Sequence, residues 1–130
     1  MKDLEDVIEV KKGEQVNKDI ILVAKKNHYS CLKIEGRVIG NVFIYRESTI
    51  DGGPTDTNVE ILPEGILDGD IYNVDRVDIA GACSGDIKAS IITIRKGAVV
   101  RGNINCMILY GDDFKAVQDG AFYYKKVAIK

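Results

Sequence analysis

A thirteen-residue pattern that recurs along the chain constrains its fold more than any other feature. Two alternating apolar positions are followed by a glycine, a third apolar residue, a Gly-Asn or Gly-Asp step and a final apolar residue. The clearest copy comprises Ile92, Ile94, Gly97, Val100, Gly102, Asn103 and Ile104. The pattern also fits without gaps at 8–20, 42–54, 59–71 and, in its most degraded form, 115–127. Self-similarity of this kind is the signature of a repeat architecture.

Two further segments, 32–42 and 77–87, fit a version of the pattern that is two residues shorter. Val42 ends the first of these segments and also begins the 42–54 copy, so one assignment is wrong or that unit is irregular. The sequence therefore predicts five to seven units. The best units start at 42, 59, 77 and 92, which gives a repeat of roughly 15–18 residues. Such a repeat is too short for a helical pair or a propeller blade.

This repeat length fits one coil of a three-sided parallel β-helix, which is an all-β solenoid. Short alternating runs of β-branched residues predict the strands. Each Gly-Asn or Gly-Asp step is predicted to form a corner, because these residues tolerate φ > 0. Equivalent apolar side chains then stack about 4.8 Å apart along the axis. Ile61, Ile79 and Ile94 share one position and are predicted to point inward, whereas Asp78 points outward.

The length of the chain predicts a single β-helix domain over residues 1–130. Within this domain, 8–31 is a degraded N-terminal coil and 32–104 carries the regular repeats. Residues 105–130 are predicted to form a C-terminal coil with an aromatic end and a basic tail. The periodicity alone does not fix the hand of the coil.

Charge and hydropathy exclude several classes of function. The longest unbroken apolar run, Ile20–Ala24, is far shorter than the ~20 residues of a transmembrane helix. The acidic start has no apolar core, so we expect no secretory signal and a cytoplasmic protein. Residues 31–113 carry a net charge of −5, which would repel a phosphate backbone and argues against nucleic acid as a partner. Residues 114–130 carry +3 and form the basic tail.

The cysteines and the single histidine fit no metal or cofactor site. Cys31, Cys83 and Cys106 are an odd number without a secretory signal, so no disulfide framework is expected. Their spacing does not match a zinc site, and His28 is the only histidine. No glycine-rich segment ends in Gly-Lys-Ser/Thr, which excludes a P-loop. The sequence predicts no cofactor; Cys31 and Cys83 are interpreted as small core residues and His28 as a surface or packing residue.

Acidic side chains are plentiful, and several lie two or three residues apart. Pairs such as Asp68 with Asp70 and Asp75 with Asp78 are interpreted as a solvated outer face. The segment DGGPTD (51–56) is interpreted as a corner that leads into a seven-residue loop, because a calcium-binding Gly-Gly motif would have to repeat.

Three stretches of the repeat resemble the bactofilin family of polymer-forming bacterial cytoskeletal proteins. They are GDIKASIITIRKGAVVRGNI (85–104), GRVIGNV (36–42) and GILDGDI (65–71). The resemblance implies a right-handed, three-sided β-helix that assembles end to end into filaments without nucleotide. It implies a scaffold for cell-shape, cell-wall or motility proteins, with the chain itself as its main partner and a location that includes the inner face of the membrane. An apolar membrane-attachment tail, known in the family, is not expected for this acidic start.

A different class of protein shares part of the pattern. Six-residue spacing occurs at Leu32, Val38, Ile44 and Ile50, and again at Ile71, Val77, Cys83 and Ala89. This spacing is typical of the left-handed hexapeptide β-helix of acyltransferases. The spacing breaks after each run, and such enzymes need histidine as a base or zinc ligand. The sequence therefore predicts no enzyme, and a small acyltransferase-like enzyme or binding module is the alternative.

The ends of the solenoid are the candidate functional site, because a stack of coils leaves strand edges and core uncovered. The last unit contains Gly120-Ala121-Phe122-Tyr123-Tyr124. This segment resembles the C-terminal coil of the family, where a Gly-Ala-x-aromatic step contributes a phenylalanine to the subunit contact. The predicted self-assembly interface comprises Phe122, Tyr123 and Tyr124, with Ile8 and Val10 at the other end. Alternatively, the aromatic rings seal the core of a monomer.

Overall fold

The computed structural model describes residues 4–25, 28–46, 56–111, 117–118 and 122–129, with side chains for 7–25, 28–46 and 56–111. The first six strands are β1 (Leu4–Val10), β2 (Gln15–Val16), β3 (Ile20–Ala24), β4 (His28–Ile34), β5 (Arg37–Ile39) and β6 (Val42–Arg46). The later strands are β7 (Asp56–Ile61), β8 (Ile66–Asp68), β9 (Ile71–Ile79), β10 (Ala82–Ser84), β11 (Ile87–Ile94), β12 (Val99–Arg101), β13 (Ile104–Gly111), β14 (Val117–Gln118) and β15 (Phe122–Ile129).

The strands form three faces, and every strand pairing in the described part is parallel. Face A contains β1, β4, β7 and the C-terminal parts of β9, β11, β13 and β15. Face B contains β2, β5, β8, β10, β12 and β14. Face C contains β3, β6 and the N-terminal parts of β9, β11, β13 and β15, because these long strands continue around a corner. The three-sided, all-β parallel β-helix is therefore confirmed.

The predicted coil length holds in only one part of the molecule. At the corner between faces B and C, Asp70, Asp86 and Asn103 follow one another at steps of 16 and 17 residues. The earlier steps at this corner, from Asp19 to Asn41 and from Asn41 to Asp70, take 22 and 29 residues. The difference lies at the corner between faces C and A. The N-terminal coils build these faces from separate strands, β3 with β4 and β6 with β7, and residues 47–55 connect β6 to β7. In contrast, β9, β11 and β13 pass this corner as single strands. We call β1–β6 the N-terminal coils and the strands from β7 onward the regular coils.

The structure resolves the two assignments of Val42. Its register partners are Ile20 and Ile71, which end a unit, so Val42 ends the 32–42 copy. The 42–54 copy is therefore wrong, because its first position belongs beside Val59, whose partners are Leu32 and Val77. Residues 47–55, which include most of the predicted DGGPTD corner, lie outside the described residues.

The two lengths of the pattern arise at the corner between faces A and B. The longer units close a four-residue turn, in which the N–H of Glu14, Gly65 or Ala98 donates to the carbonyl three residues earlier at 2.7–3.1 Å. Gly13 and Gly97 adopt φ of 87° and 89° in two of these turns, a conformation that favours glycine. The shorter units, 32–42 and 77–87, pass the same corner with two fewer residues.

Hexapeptide periodicity does not persist from coil to coil. Three six-residue sides would make every coil about 18 residues long. The coils that separate Asp70, Asp86 and Asn103 are instead 16 and 17 residues long. The six-residue runs of the sequence thus describe sides within single coils.

The core is a set of stacked apolar rows that run along the axis. Ile34, Ile61, Ile79 and Ile94 are register partners on face A, and all are buried. Rows on faces B and C are equally buried; they comprise Val38, Leu67, Cys83 and Val100, and Val42, Ile71, Ile87 and Ile104. The predicted inward positions of Ile61, Ile79 and Ile94 are confirmed.

A ladder of hydrogen bonds holds the corner between faces B and C. The backbone N–H of Asn41 donates to Asp19 Oδ1 at 2.8 Å, and that of Asp70 donates to Asn41 Oδ1 at 2.9 Å. Asp86 N–H donates to Asp70 Oδ1 at 2.7 Å, and Asn103 N–H donates to Asp86 Oδ1 at 2.8 Å. We call these five residues the Asx ladder. Each side-chain oxygen of the ladder takes the place of a backbone carbonyl. Without it, the N–H at the bend of the next coil would have no hydrogen-bond acceptor.

This ladder corrects the physical reason predicted for the Gly-Asn and Gly-Asp steps. Among the described residues, Asn73 is the only non-glycine with positive φ, and it lies outside the ladder. Asn and Asp are thus used as side-chain acceptors, not for left-handed backbone. For the glycines the predicted reason holds at the Gly-Asn steps, where Gly40 and Gly102 have φ of 157° and 149°. At the Gly-Asp steps the reason is close approach of the coils, since a Cβ at Gly69 or Gly85 would overlap the carbonyl oxygen of the preceding coil.

Candidate assembly site

Both ends of the β-helix present strands with one unpaired edge. In the face A sheet, β1 is the first strand beside β4, and β15 is the last strand beside β13. Within the residues that the structure describes, no strand pairs with the outer edge of β1 or β15. An open edge offers N–H and C=O groups that can pair with another chain. The two ends are therefore the places where the stack can be extended.

Ile8 lies at the open N-terminal end of the core. Its register partner is Leu32, which belongs to an inward row and is 0% exposed. Ile8 occupies the same row and is 40% exposed. The difference arises because no further coil covers this end in the described part of the chain. Ile8 is thus an apolar core position that lacks its outer neighbour.

Val10, the second residue predicted at this end, has a different environment. It pairs with Ile34 and is only 3% exposed, because it packs in the main core cluster. Substitution at Val10 would therefore perturb the core as well as any contact at this end, whereas Ile8 offers a cleaner probe of assembly.

The C-terminal end is defined by the backbone of β15. Phe122, Tyr123 and Tyr124 pair in register with Ile104, Asn105 and Cys106. Ile104 and Cys106 are buried, and Asn105 is exposed. Phe122 and Tyr124 therefore occupy the register of an inward row, and Tyr123 occupies the register of an outward row. Their side chains lie outside the part that the structure describes, as do Gly120 and Ala121.

Two apolar residues beside Ile8 were missed by the sequence analysis. Val7 and Ile21 are both exposed, and with Ile8, Val23 and Ser30 they line a groove of about 170 Å³. The run Ile20–Ala24 gave a usable signal, because a strand that is apolar at every position has apolar side chains on its outer side as well.

Several carboxylates on the outer surface accept hydrogen bonds from arginines, whereas the sequence analysis predicted only a solvated face. Asp68 accepts hydrogen bonds from Nε and Nη2 of Arg37 at 2.9 and 2.6 Å. Asp78 accepts from Nε and Nη2 of Arg95 at 3.1 and 2.8 Å. Both pairs connect neighbouring coils. Asp78 does point outward, as predicted.

Two other acidic residues make contacts that shape the corners. Both the N–H and the hydroxyl of Thr57 donate to Asp75 Oδ2 at 2.9 Å, and Thr57 is fully buried. The Tyr72 hydroxyl donates to Asp70 Oδ2 at 2.6 Å, and this hydrogen bond raises the pKa of Tyr72. Asp70 and Asp75 are half-buried and also hold hydrogen-bond donors, which the interpretation as a solvated face did not include, because a single sequence does not show which carboxylates lie beside a donor.

The three cysteines are buried and free of disulfide bonds. Burial raises the pKa of the Cys83 thiol to about 12 and that of Cys106 to about 11, and it also raises the pKa of Cys31. Neutral, buried thiols behave as small apolar residues. The interpretation of Cys31 and Cys83 as core residues is confirmed.

The remaining chemistry-bearing groups are dispersed. His28 is buried at the start of β4, which agrees with a packing role. A groove of about 500 Å³ on the outer side of face A is lined by residues that include Arg76, Ile91 and Tyr110, and its lining contains no histidine, cysteine or serine. In the described ranges, no three His, Cys, Asp or Glu side chains are placed to share a metal ion. Nor does the described part contain a helix long and apolar enough to cross a membrane.

Comparison with known proteins identifies the family. Searches of curated proteins and of solved structures gave no match. The profile of the bactofilin family, described as polymer-forming cytoskeletal, matches residues 14–122. This range covers most of the β-helix, from the turn after β1 to the first residue of β15. The chain therefore belongs to the bactofilin family, whose members are polymer-forming cytoskeletal proteins.

Proposed function

We propose that this chain polymerises end to end into filaments without nucleotide and serves as a non-enzymatic scaffold. The observation that carries the proposal is the exposure of Ile8, an inward core position with no outer neighbour in the described residues. Burial of this end against another chain continues an apolar row that already runs through the molecule. The contact needs no bound ligand, because its driving force is removal of apolar surface from water.

At the opposite end, the aromatic residues of β15 are the proposed contact residues. Phe122 and Tyr124 occupy the register of the buried residues Ile104 and Cys106, which makes Phe122 the stronger candidate than Tyr123 for the end contact. Each aromatic ring buried between two chains contributes about 2 kcal/mol or more. Pairing of strand edges adds hydrogen bonds and fixes the orientation of the two chains.

Substitution at the C-terminal end tests this proposal. Phe122→Arg places a charge in the apolar contact, so we expect small, folded species where the wild type forms filaments. Tyr123→Arg is expected to have the smaller effect of the two, and Asn105→Arg, on an exposed position one coil away, is the matched control. Sedimentation velocity measures the size, and circular dichroism verifies the fold.

The outcomes distinguish a C-terminal contact, an N-terminal contact and a monomer. If Phe122→Arg and Tyr123→Arg both remain polymeric, the C-terminal contact is rejected and Ile8→Arg tests the N-terminal one. A wild type that stays monomeric at high concentration rejects end-to-end assembly and favours the aromatic residues as a seal of the core.

The cellular part of the proposal is a cytoplasmic scaffold that organises cell-shape, cell-wall or motility proteins, including at the inner face of the membrane. It is supported by membership of a cytoskeletal family. A fluorescent fusion of the wild type should form discrete assemblies in cells, and the same fusion carrying Phe122→Arg should be diffuse with altered cell shape or motility. Normal shape and motility in cells that lack the protein would contradict this role.

A further inference from the structure

One inward position at the open N-terminal edge carries a charged residue. On β1, Ile8 and Val10 occupy inward rows, and alternation along the strand places Asp6 in an inward register as well. Its register partner is Ser30, which is 1% exposed and lines the groove of about 170 Å³ at this end. The next residue of that row is Thr57, which is fully buried. Asp6 therefore occupies the open end of a buried row.

This row is polar, but its two hydroxyl groups have no proton to offer a carboxylate. The Ser30 hydroxyl donates to the Val23 carbonyl oxygen at 2.8 Å, and the Thr57 hydroxyl donates to Asp75 Oδ2 at 2.9 Å. Each hydroxyl has a single proton, and each proton is already used. An ionised carboxylate is only an acceptor, and its burial without donors is costly. The position of Asp6 is thus tolerable while water reaches it.

We infer that Asp6 weakens the addition of any strand to the N-terminal edge and thereby sets the protein concentration at which filaments form. This inference rests on the proposed end-to-end assembly. A strand that covers Ile8 also covers Asp6, two residues earlier on β1, and removes water from this position. Inward charges on edge strands are a means by which proteins prevent unwanted strand pairing. Here the charge lies within the assembly site, so the apolar contact through Ile8 forms only at a higher concentration.

The other acidic residues of β1 differ from Asp6 in register. Glu5 pairs with Tyr29 and Glu9 pairs with Lys33, and both partners are half-buried residues of outward rows. Charges in an outward register stay in water when a strand is added, and salt screens them. Glu5 is therefore the matched control for Asp6, because it is adjacent on the same strand, carries the same charge and occupies the opposite register.

Removal of the charge tests the inference. The critical concentration for filament formation, measured by sedimentation, should fall about tenfold or more in Asp6→Val, because valine completes an apolar edge. Asp6→Asn removes the charge but keeps a polar group, so its decrease should be smaller. Glu5→Val should change the critical concentration by less than about threefold, and this change should vanish near 1 M salt, where the Debye length is about 3 Å. The decrease in Asp6→Val should persist at that salt concentration.

The outcomes distinguish this inference from the proposed function. Ile8→Arg, added to Asp6→Val, should abolish the gain, because the gain requires contact through the N-terminal end. An unchanged or higher critical concentration in Asp6→Val would overturn the inference, and so would an equal decrease in Glu5→Val at high salt.

If the wild type forms no filaments, the proposed function fails by itself and sedimentation velocity of Asp6→Val decides the inference. A dimer that Ile8→Arg abolishes supports the role of Asp6, and a monomer overturns it. Circular dichroism verifies the fold of each variant, and Asp6→Asn takes the place of Asp6→Val if the valine variant does not fold.

Discussion

The N-terminal coils and the regular coils share one interior but differ in nearly everything outside it. Both contribute to the same buried rows, as the pairs Val38 with Leu67 and Val42 with Ile71 show across their boundary. Measured along the Asx ladder, the N-terminal coils take 22 and 29 residues, whereas the regular coils take 16 and 17 residues. Five of the seven described large apolar residues that are exposed lie in the N-terminal coils; they are Val7, Ile8, Ile21, Ile39 and Tyr45.

This difference separates the residues that specify the fold from those that are available for assembly. Close approach of the backbone and the Asx ladder constrain the corner between faces B and C in both regions, because a Cβ at Gly40 would overlap a carbonyl oxygen of the preceding coil just as one at Gly85 would. In the N-terminal coils, separate strands form faces C and A, which lengthens the coils, and the outer surface of face C becomes apolar. Both regions therefore hold the register at this corner, and the N-terminal coils in addition carry most of the exposed apolar residues that another chain can cover.

The largest expected effect is a difference in stability loss when aspartate replaces an inward residue in each of the two regions. Ile79→Asp buries a charge without compensation and should destabilise the fold by about 4 kcal/mol or more. Ile8→Asp changes an inward row at the open end, where water reaches the side chain, and should cost less than about 1 kcal/mol. Urea unfolding of both variants measures the difference. Equal losses would show that the N-terminal end is as closed as the interior.

A smaller effect is expected at the first regular coil, where Thr57 donates twice to Asp75. Thr57→Val keeps the shape but removes the buried hydroxyl, which should cost about 2 kcal/mol. Thr93→Val, on the half-buried outer side of face A, is the control and should change stability by less than about 0.5 kcal/mol. Thermal unfolding followed by circular dichroism compares them. If Thr57→Val leaves the stability unchanged, the hydrogen bonds between Thr57 and Asp75 do not stabilise this corner.

The Asx ladder should show a third, still smaller effect. Asp86→Ala removes the acceptor for Asn103 N–H and should cost about 1 kcal/mol, whereas Asp86→Asn keeps an acceptor oxygen and should cost little. Hydrogen exchange at Asn103 reports the change directly, because its amide loses protection only in Asp86→Ala. Equal losses in both variants would indicate that the carboxylate charge matters more than the hydrogen bond.

The smallest effect is expected at Asp78, whose ion pair with Arg95 is partly exposed. Asp78→Asn should change the free energy of unfolding by no more than about 0.5 kcal/mol, because exposed ion pairs contribute little. Chemical denaturation at low and high salt measures it. A loss near that of Ile79→Asp would contradict the strand register on face A.

The interior of this molecule was predictable from the sequence because strand side chains alternate with period two. Ile61, Ile79 and Ile94 were placed correctly, and the two pattern lengths correspond to two lengths of corner turn. Val42 was ambiguous because the long connection from β6 to β7 separates the 32–42 unit from the next unit by more residues than the repeat predicts. The length of a connection does not follow the strand periodicity. A template of fixed length therefore cannot predict it.

The exterior was less predictable because it depends on pairs of residues in different coils. Thr57 and Asp75 are 18 residues apart, and the acceptors of the Asx ladder are defined only once coils are in register. At the candidate site, the positions of Ile8 and β15 at opposite ends follow from the coil order, which the repeats did predict. The exposed position of Ile21 was overlooked because a fully apolar strand such as Ile20–Ala24 is easily interpreted as core alone.

The axial rise per chain in the filament tests the central claim most directly. Coaxial, end-to-end stacking of a β-helix with six strands on face B predicts a rise of about 30 Å per chain, since each coil advances about 4.8 Å. Cryo-electron microscopy of filaments grown without nucleotide should give this rise, with strands perpendicular to the filament axis. A filament whose strands run along its axis, or a purified protein that remains monomeric at all concentrations, would contradict the account.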